Sequence, residues 1–212
     1  MTIREIRHYF ERQMYTVTLS NDSQIYIPLK RLFDFVLALI LLIPSTILIG
    51  IFGLLIILES EGGVFFKQER LGKDGKLIYV LKLRSMVKGA TRQGPLYTKQ
   101  NDDRVTRVGR FVRRTRIDEL PQIFNVLTGD MSFIGPRPLV PWEYEVSDHN
   151  FANRLMVTPG ISGLAQVNGG NDLNNEQKLV FDLEYIRNFG LSMDAKVFLL
   201  TIKTIVSGNG VR

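Results

Sequence analysis

The sequence contains no cysteine. That absence excludes disulfides, thiolate metal sites and cysteine nucleophiles. Histidine is almost as scarce. His8 and His149 are the only two, which argues against a histidine-built metal site or catalytic triad. His149 and the single tryptophan, Trp142, carry no specific signal. There is no internal repeat and no low-complexity tract, so repeat architectures are excluded as well. Any chemistry must rest on carboxylates, amines, guanidinium groups and hydroxyls.

What is present is length, positive charge and one long apolar run. The chain has 212 residues and a formal net charge of +6. That length suits one domain with a sizeable core, or a smaller domain plus a membrane element. The charge favours an anionic partner, and nucleic acid, anionic lipid and phosphorylated substrates all satisfy it.

Ile3, Ile6, Phe10 and Met14 recur at helical spacing, with Arg4, Arg7 and Arg12 between them. This predicts an amphipathic helix that either packs on the domain or lies in a membrane interface. Tyr15, Val17 and Leu19 alternate, as do Ile25 and Ile27, around Asn21-Asp22-Ser23. That alternation predicts a short hairpin. Phe35 to Leu58 then carries no charge for about 24 positions, enough to cross a bilayer core. It starts too far into the chain for an ordinary signal peptide, and no small-residue cleavage pattern follows, so it is expected to be retained.

Two features argue against a simple crossing. Pro44 falls near the middle, where it removes a backbone hydrogen bond, and Ser45 and Thr46 stand ready to satisfy freed carbonyls. Both flanks are basic, Lys30 and Arg31 before and Lys67, Arg70, Lys73 and Lys76 after, whereas basic residues prefer the cytoplasmic side. A re-entrant helix–break–helix with its break at Pro44-Ser45 meets both observations and is favoured over a kinked single span.

Beyond the run, Asp74-Gly75 signals a turn, and Leu77 to Leu83 reads as a strand ending near Lys82, Arg84 and Ser85. Ala90 to Gln100 reads as a loop. Asp102 or Asp103 is then expected to cap a helix through Arg114, with Val105, Val108 and Val112 inward and Arg104, Arg107 and Arg114 on an adjacent stripe. Asn174 to Asn188 and a segment capped by Ser192 read as two further helices, and the last of them is too short to cross a membrane.

The centre of the chain is Arg113 to Gln122, RRTRIDELPQ. A helix from Leu120 to Leu127 is expected, with Pro121 in its first turn and Gly129 just past its end. Asp118 and Glu119 then sit at that helix's start. One reading is structural, an N-cap and a first-turn acid. The other is chemical. Arg113, Arg114 and Arg116 would keep the pair ionised, and an ionised carboxylate is a nucleophile toward phosphorus or a ligand for Mg²⁺. Gly129 to Pro138, GDMSFIGPRP, makes a stiff turn that presents Arg137 to a phosphate.

RRTRIDELPQ, NVLTGDMSFIGPRP and TPGISGLAQVNG resemble the signature blocks of bacterial sugar transferases, the monotopic polyprenol-phosphate phosphoglycosyl transferases. The similarity runs from about Lys30 to about Val206. The resemblance implies transfer of a sugar-1-phosphate from a nucleotide diphosphosugar, commonly a UDP-sugar, to polyprenol (undecaprenyl) phosphate, releasing UMP. It implies Asp118 as the nucleophile that forms a covalent aspartyl-phosphosugar, Glu119 as its dyad partner, and Mg²⁺ held by Asp118, Glu119 and the diphosphate. It implies Arg137 as a phosphate ligand. Arg113, Arg114, Lys82 and Arg84 are further candidates, the last two equally readable as edge-strand charges. Gln166 and Asn168 are candidate substrate contacts, or else side chains bonding their own loop.

The expected fold is mixed α/β and mostly helical. Residues 1–29 form an N-terminal extension, 30–60 a re-entrant membrane segment, and 61–212 a catalytic domain on the cytoplasmic face of the bacterial inner membrane, with interfacial helices. The expected setting is the first membrane step of a capsule, exopolysaccharide, O-antigen or glycoprotein glycan, in a minimal form without a multi-span domain. The oligomeric state stays open. A membrane-anchored nucleic-acid binder is the competing class. No stacking aromatics accompany the arginines, so nucleic acid is not expected as a partner.

Overall fold

The computed structural model describes residues 19–90, 102–141 and 152–207. The expected helix over residues 1–14, the loop after Ala90, Trp142 and His149 lie outside the described residues. Helix α1 spans Asn21–Glu59, and strands β1 (Phe65–Leu71) and β2 (Leu77–Leu83) form an antiparallel hairpin. Helix α2 (Arg107–Arg114) leads through a 3₁₀ turn, Ile117–Glu119, to helix α3 (Gln122–Thr128). Strands β3 (Ser132–Ile134) and β4 (Gly160–Ser162) pair in parallel. Helices α4 (Leu164–Val167), α5 (Asn175–Arg187) and α6 (Leu191–Ser207) close the chain.

Residues Asn21-Asp22-Ser23, expected as a hairpin turn, are instead the first turn of α1. The Ser20 hydroxyl accepts from the Ser23 amide at 3.1 Å, an N-cap that overrides the short alternation around it. The expected break at Pro44-Ser45 is also absent: α1 remains one helix through Pro28 and Pro44. Thr46 Oγ1 donates to Leu42 O at 2.8 Å, so local side-chain bonding accompanies the proline without ending the helix.

α1 buries Ser23, Tyr26, Lys30, Asp34, Ala38, Ser45, Ile49, Gly53 and Ile56. These positions recur at helical spacing, so one face of the helix is covered from end to end. Tyr26 joins the cluster of Ile134, Leu164, Tyr185 and Val197. Ala38 packs with Ile78, Val80, Ile123 and Val126, and Ile49 and Ile56 pack with Leu83. The opposite face stays apolar and exposed, including Leu32, Ile40, Ile43, Ile47, Leu54 and Leu58. A large exposed apolar surface of this kind marks a lipid or protein contact. Near its N-terminus α1 is tied to α6 by polar contacts. Asp194 accepts from Tyr26 at 2.8 Å and from Tyr185 at 2.6 Å, and pairs with Lys30.

The hairpin turn is as expected, with Asp74 and Gly75 both at positive φ. The α2 start differs. Thr106, not Asp102 or Asp103, is the N-cap and accepts from the Gly109 amide at 2.9 Å. Asp102 is drawn to Arg104 instead, at 2.7 Å, so Arg104 lies before the helix and off the expected stripe. α6 begins at Leu191, which places Ser192 inside the helix and not at its cap.

Candidate active site

Side-chain alternation along β2 places the first cation. Ile78 and Val80 point into the core, and Lys82 continues that face past the apolar contact. Its ammonium meets Glu119 Oε1 at 2.8 Å. Asn125, on α3, fixes the strand at that point. Its Oδ1 accepts from the Leu81 amide at 3.0 Å and its Nδ2 donates to Tyr79 O at 2.8 Å. The sequence reading missed Asn125. Its signal was a lone amide inside the apolar string IFNVL, a position where burial obliges a polar side chain to find partners.

The dyad is delivered by a reversal. Arg116 adopts a left-handed conformation, φ 57, which ends the α2 turn and starts Ile117–Glu119. A non-glycine residue there stores strain of about 1–3 kcal/mol. Asp118 and Glu119 precede α3 as expected, yet neither caps it. The N-cap is Pro121, with no side-chain bond to the helix. The structural reading of the pair as a helix cap therefore does not hold.

Arg137 is presented by a layered turn. Gly135 N donates to Ser162 O at 2.9 Å and Gly160 N to Pro136 O at 2.9 Å. A Cβ on Gly135 would fall 2.5 Å from Thr158 O, and one on Gly160 would fall 2.1 Å from Gly135 N. The glycines of GPRP and TPGIS are thus each other's packing requirement. On the other side Arg70 donates to Pro138 O at 3.0 Å. Arg137 emerges 44% exposed, its Nη1 3.7 Å from Glu119 Oε1.

The remaining candidates divide. Arg113 is half-buried beside the dyad, and its Nε donates to Ser85 Oγ at 2.8 Å. Burial lowers its pKa, against the pull of the Asp118 charge. Arg114 is exposed and makes no ion pair among the described residues. The guanidinium of Arg84 is spent on backbone carbonyls at the end of α1, including Ser60 O at 2.7 Å, and is not aimed at the dyad. Gln166 donates to Ile161 O at 3.1 Å and Asn168 to Leu164 O at 2.8 Å, both within their own segment. Ser45 is buried on the α1 face, and Pro44 lies within the same helix.

Electrostatics separates the two carboxylates. Burial raises Glu119, but Lys82 and then Arg137 outweigh it and hold the group at about 2. Burial pushes Asp118 up to about 6; Glu119 adds to the rise, and Lys82, Arg113 and Arg137 oppose it. Lys82 is itself lowered by burial, which Glu119 counters. Asp118 is only 8% exposed, and its carboxylate has no hydrogen bond or ion pair among the described residues. One carboxylate is locked between cations, and its neighbour is left with free lone pairs amid the same positive field. Such a site can receive a phosphate and attack it.

These features belong to a known class. The family model for bacterial sugar transferases matches residues 25–208, and the chain belongs to that family. A Bacillus subtilis protein, "Putative undecaprenyl-phosphate N-acetylgalactosaminyl 1-phosphate transferase", is 43% identical over 84% of this chain and 92% of its own length. The "UDP-N-acetylgalactosamine-undecaprenyl-phosphate N-acetylgalactosaminephosphotransferase" of Aeromonas hydrophila is 40% identical over 98% of the chain. The Escherichia coli "UDP-glucose:undecaprenyl-phosphate glucose-1-phosphate transferase" is 43% identical over 89%. The chain spans 50% of the Aeromonas protein and 42% of the E. coli protein.

Proposed function

We propose that the protein transfers a sugar-1-phosphate from a UDP-sugar to undecaprenyl phosphate, with Asp118 as the nucleophile. The observation that carries this reading is the contrast within the dyad. Glu119 is held by Lys82 and Arg137, whereas Asp118 has no hydrogen-bond or ion-pair partner among the described residues and a pKa raised to about 6. A carboxylate that ionises near neutrality without being neutralised by an ion pair is suited to attack.

The Asp118 carboxylate oxygen bonds to the sugar-bearing phosphorus. The phosphoanhydride bond breaks, and UMP leaves with the bridging oxygen. An oxygen of the lipid phosphate then attacks the same phosphorus, and the aspartyl bond breaks to regenerate the Asp118 carboxylate. Lys82, Arg113 and Arg137 stabilise charge that spreads over the phosphoryl oxygens during each displacement. Glu119 holds Lys82 and Arg137 in place.

The dyad fits Mg²⁺ in one way only. Its donors are all oxygen, but two carboxylates are too few without substrate oxygens and waters, which is the usual situation for this ion. When bound, Mg²⁺ would neutralise diphosphate charge beside Asp118 and Glu119.

Membrane attachment is inferred from α1. Its buried stripe follows the domain along its whole length, so a perpendicular crossing would pull the domain into hydrocarbon. An arrangement in which both ends of α1 stay on one face of the membrane, the cytoplasmic face of the bacterial inner membrane, avoids that cost. The exposed apolar positions Phe198, Leu199, Ile202 and Ile205 of α6 suit an interfacial helix.

UMP release tests the reaction. Purified protein is incubated with Mg²⁺, undecaprenyl phosphate and a panel of UDP-sugars, beside Asp118→Asn. Lipid-dependent release from one sugar, abolished in the variant, is the expected result. Near-normal turnover by Asp118→Asn would remove Asp118 from the mechanism.

A further inference from the structure

We propose that Arg84 and Glu59 form a clasp that positions the active-site cations Lys82 and Arg113 from the end of α1. Both are positioning residues, remote from the substrate, and the inference rests on the catalytic reading of the dyad given above.

Each of the two helix ends lacks a charge that a residue outside it supplies. The last turn of α1 contains no basic residue of its own. Arg84 provides the missing cation from the hairpin. Its Nη2 donates to Ser60 O at 2.7 Å and to Ile56 O at 3.3 Å, and its Nη1 donates to Glu61 O. The guanidinium thus sits at the negative end of the helix, on Ile56 O, which also accepts from the Ser60 amide, and on the two carbonyls just past the last turn. The first turn of α2 contains no acidic residue. Glu59, the last residue of α1, provides it. Its Oε1 accepts from the Arg107 amide at 2.7 Å and its Oε2 from the Val108 amide at 2.9 Å. Phe52 of α1 and Phe111 of α2 stack beside this contact, with centroids 5.5 Å apart.

The loop is shaped for the guanidinium. Gly62 sits at φ +122, and a Cβ there would lie 2.2 Å from Arg84 Nη1. Any other residue would be strained and would also displace the arginine.

The two contacts close a circuit. Ser85 follows Arg84 in the chain. Its carbonyl accepts from the Thr106 amide at 3.2 Å, and its hydroxyl accepts from Arg113 Nε at 2.8 Å. A Cβ on Gly109 would fall 2.0 Å from Ser85 O, so α2 is pressed directly on that residue. The path runs from the α1 end through Arg84 and Ser85 to α2, and back through Glu59. Lys82 and Arg113 are the two arms that leave this ring for the dyad. The sequence alone leaves Arg84 readable as a phosphate ligand or as an edge-strand charge; in the proposed clasp it acts on phosphate only through its neighbours.

The test uses the full chain in detergent with Arg84→Lys, Glu59→Gln and Gly62→Ala. The first readout is a double-mutant cycle on kcat/KM for UMP release. Glu59→Gln is expected to lower kcat/KM about tenfold in the wild type and less than about twofold in an Arg113→Lys background, because the route through Arg113 is already cut. Equal losses in both backgrounds would make Glu59 a structural cap only and overturn the proposal. The second readout does not need activity. Arg84→Lys alters a group that touches α1, yet it is expected to speed hydrogen exchange at the Gly109 and Arg110 amides of α2 at least about fivefold. Unchanged exchange there overturns the clasp. Gly62→Ala, which alters no charged group, is expected to reproduce the exchange result. If the wild type releases no UMP from any donor, the catalytic reading falls, while the exchange experiment still decides the clasp.

Discussion

Lys82 Nζ lies 2.8 Å from Glu119 Oε1, joining the end of the hairpin to the turn before α3. Both side chains are largely buried, so each depends on the other for its charge. Removing one partner of a buried pair costs about 3–5 kcal/mol. Lys82→Met is expected to destabilise the protein by that order and to lower kcat by about 100-fold through loss of a charge beside the reacting phosphate. Thermal unfolding in detergent and UMP release measure the two effects separately.

Asp118 carries a stability cost that comes from its burial. Its folded pKa is raised to about 6 from an ordinary value of 3.8. For an acid raised on folding, the native state binds more protons across that window, so stability falls as pH rises from about 4 to about 6. Above it the charged group remains unfavourable. Asp118→Asn is expected to be more stable than wild type at pH 7.5, by up to about 3 kcal/mol, with the gap closing below pH 4. Unfolding midpoints at both pH values check the sign.

Asn125 makes the position of Lys82 a matter of strand register. Replacing it by leucine strands the Leu81 amide and the Tyr79 carbonyl. The expected cost is about 2–4 kcal/mol. Asn125→Asp keeps the acceptor for Leu81 but presents an oxygen to Tyr79 O, so it is expected to lie between leucine and wild type. Chemical unfolding of the two variants ranks them.

Gly135→Ala forces a Cβ against Thr158 O and Gly160 N. Pushing β4 from β3 moves the turn that presents Arg137. The expected result is a loss of about 1–3 kcal/mol and a raised KM for the UDP-sugar, since Arg137 is the exposed cation of the site. An unchanged KM would separate Arg137 from substrate binding.

The absence of cysteine makes topology directly measurable. Single cysteines at Asp22 and Glu61, near opposite ends of α1, are expected to react with an impermeant maleimide from the same side of sealed membrane vesicles. Labelling from opposite sides would mean that α1 crosses the bilayer.

Much of the site was legible as local sequence. The Asp118-Glu119 pair, the Leu77 to Leu83 strand and the stiff turn before Arg137 each announce themselves within ten or so residues, through turn chemistry and side-chain alternation. What was not legible depends on distant partners. Arg84 was readable as a phosphate ligand or an edge-strand charge, because nothing local shows that α1 ends beside it. Thr106 displaced Asp102 as a cap because Arg104 claims that carboxylate. Pro44 was expected to break α1, yet the helix is covered along one face by the domain, and that packing outweighs one missing hydrogen bond. Even the division of labour in the dyad needs Lys82, which comes from 37 residues upstream.

The most direct test of Asp118 as the proposed nucleophile is the intact mass of the protein after incubation with each of a panel of UDP-sugars and Mg²⁺, without lipid. The expected result is a mass increase of one phosphosugar, mapped to the peptide containing Asp118, absent from Asp118→Asn, and discharged on adding undecaprenyl phosphate. If UMP forms only when the lipid is present and no adduct can be trapped, the sugar phosphate passes directly between substrates and Asp118 is not the nucleophile.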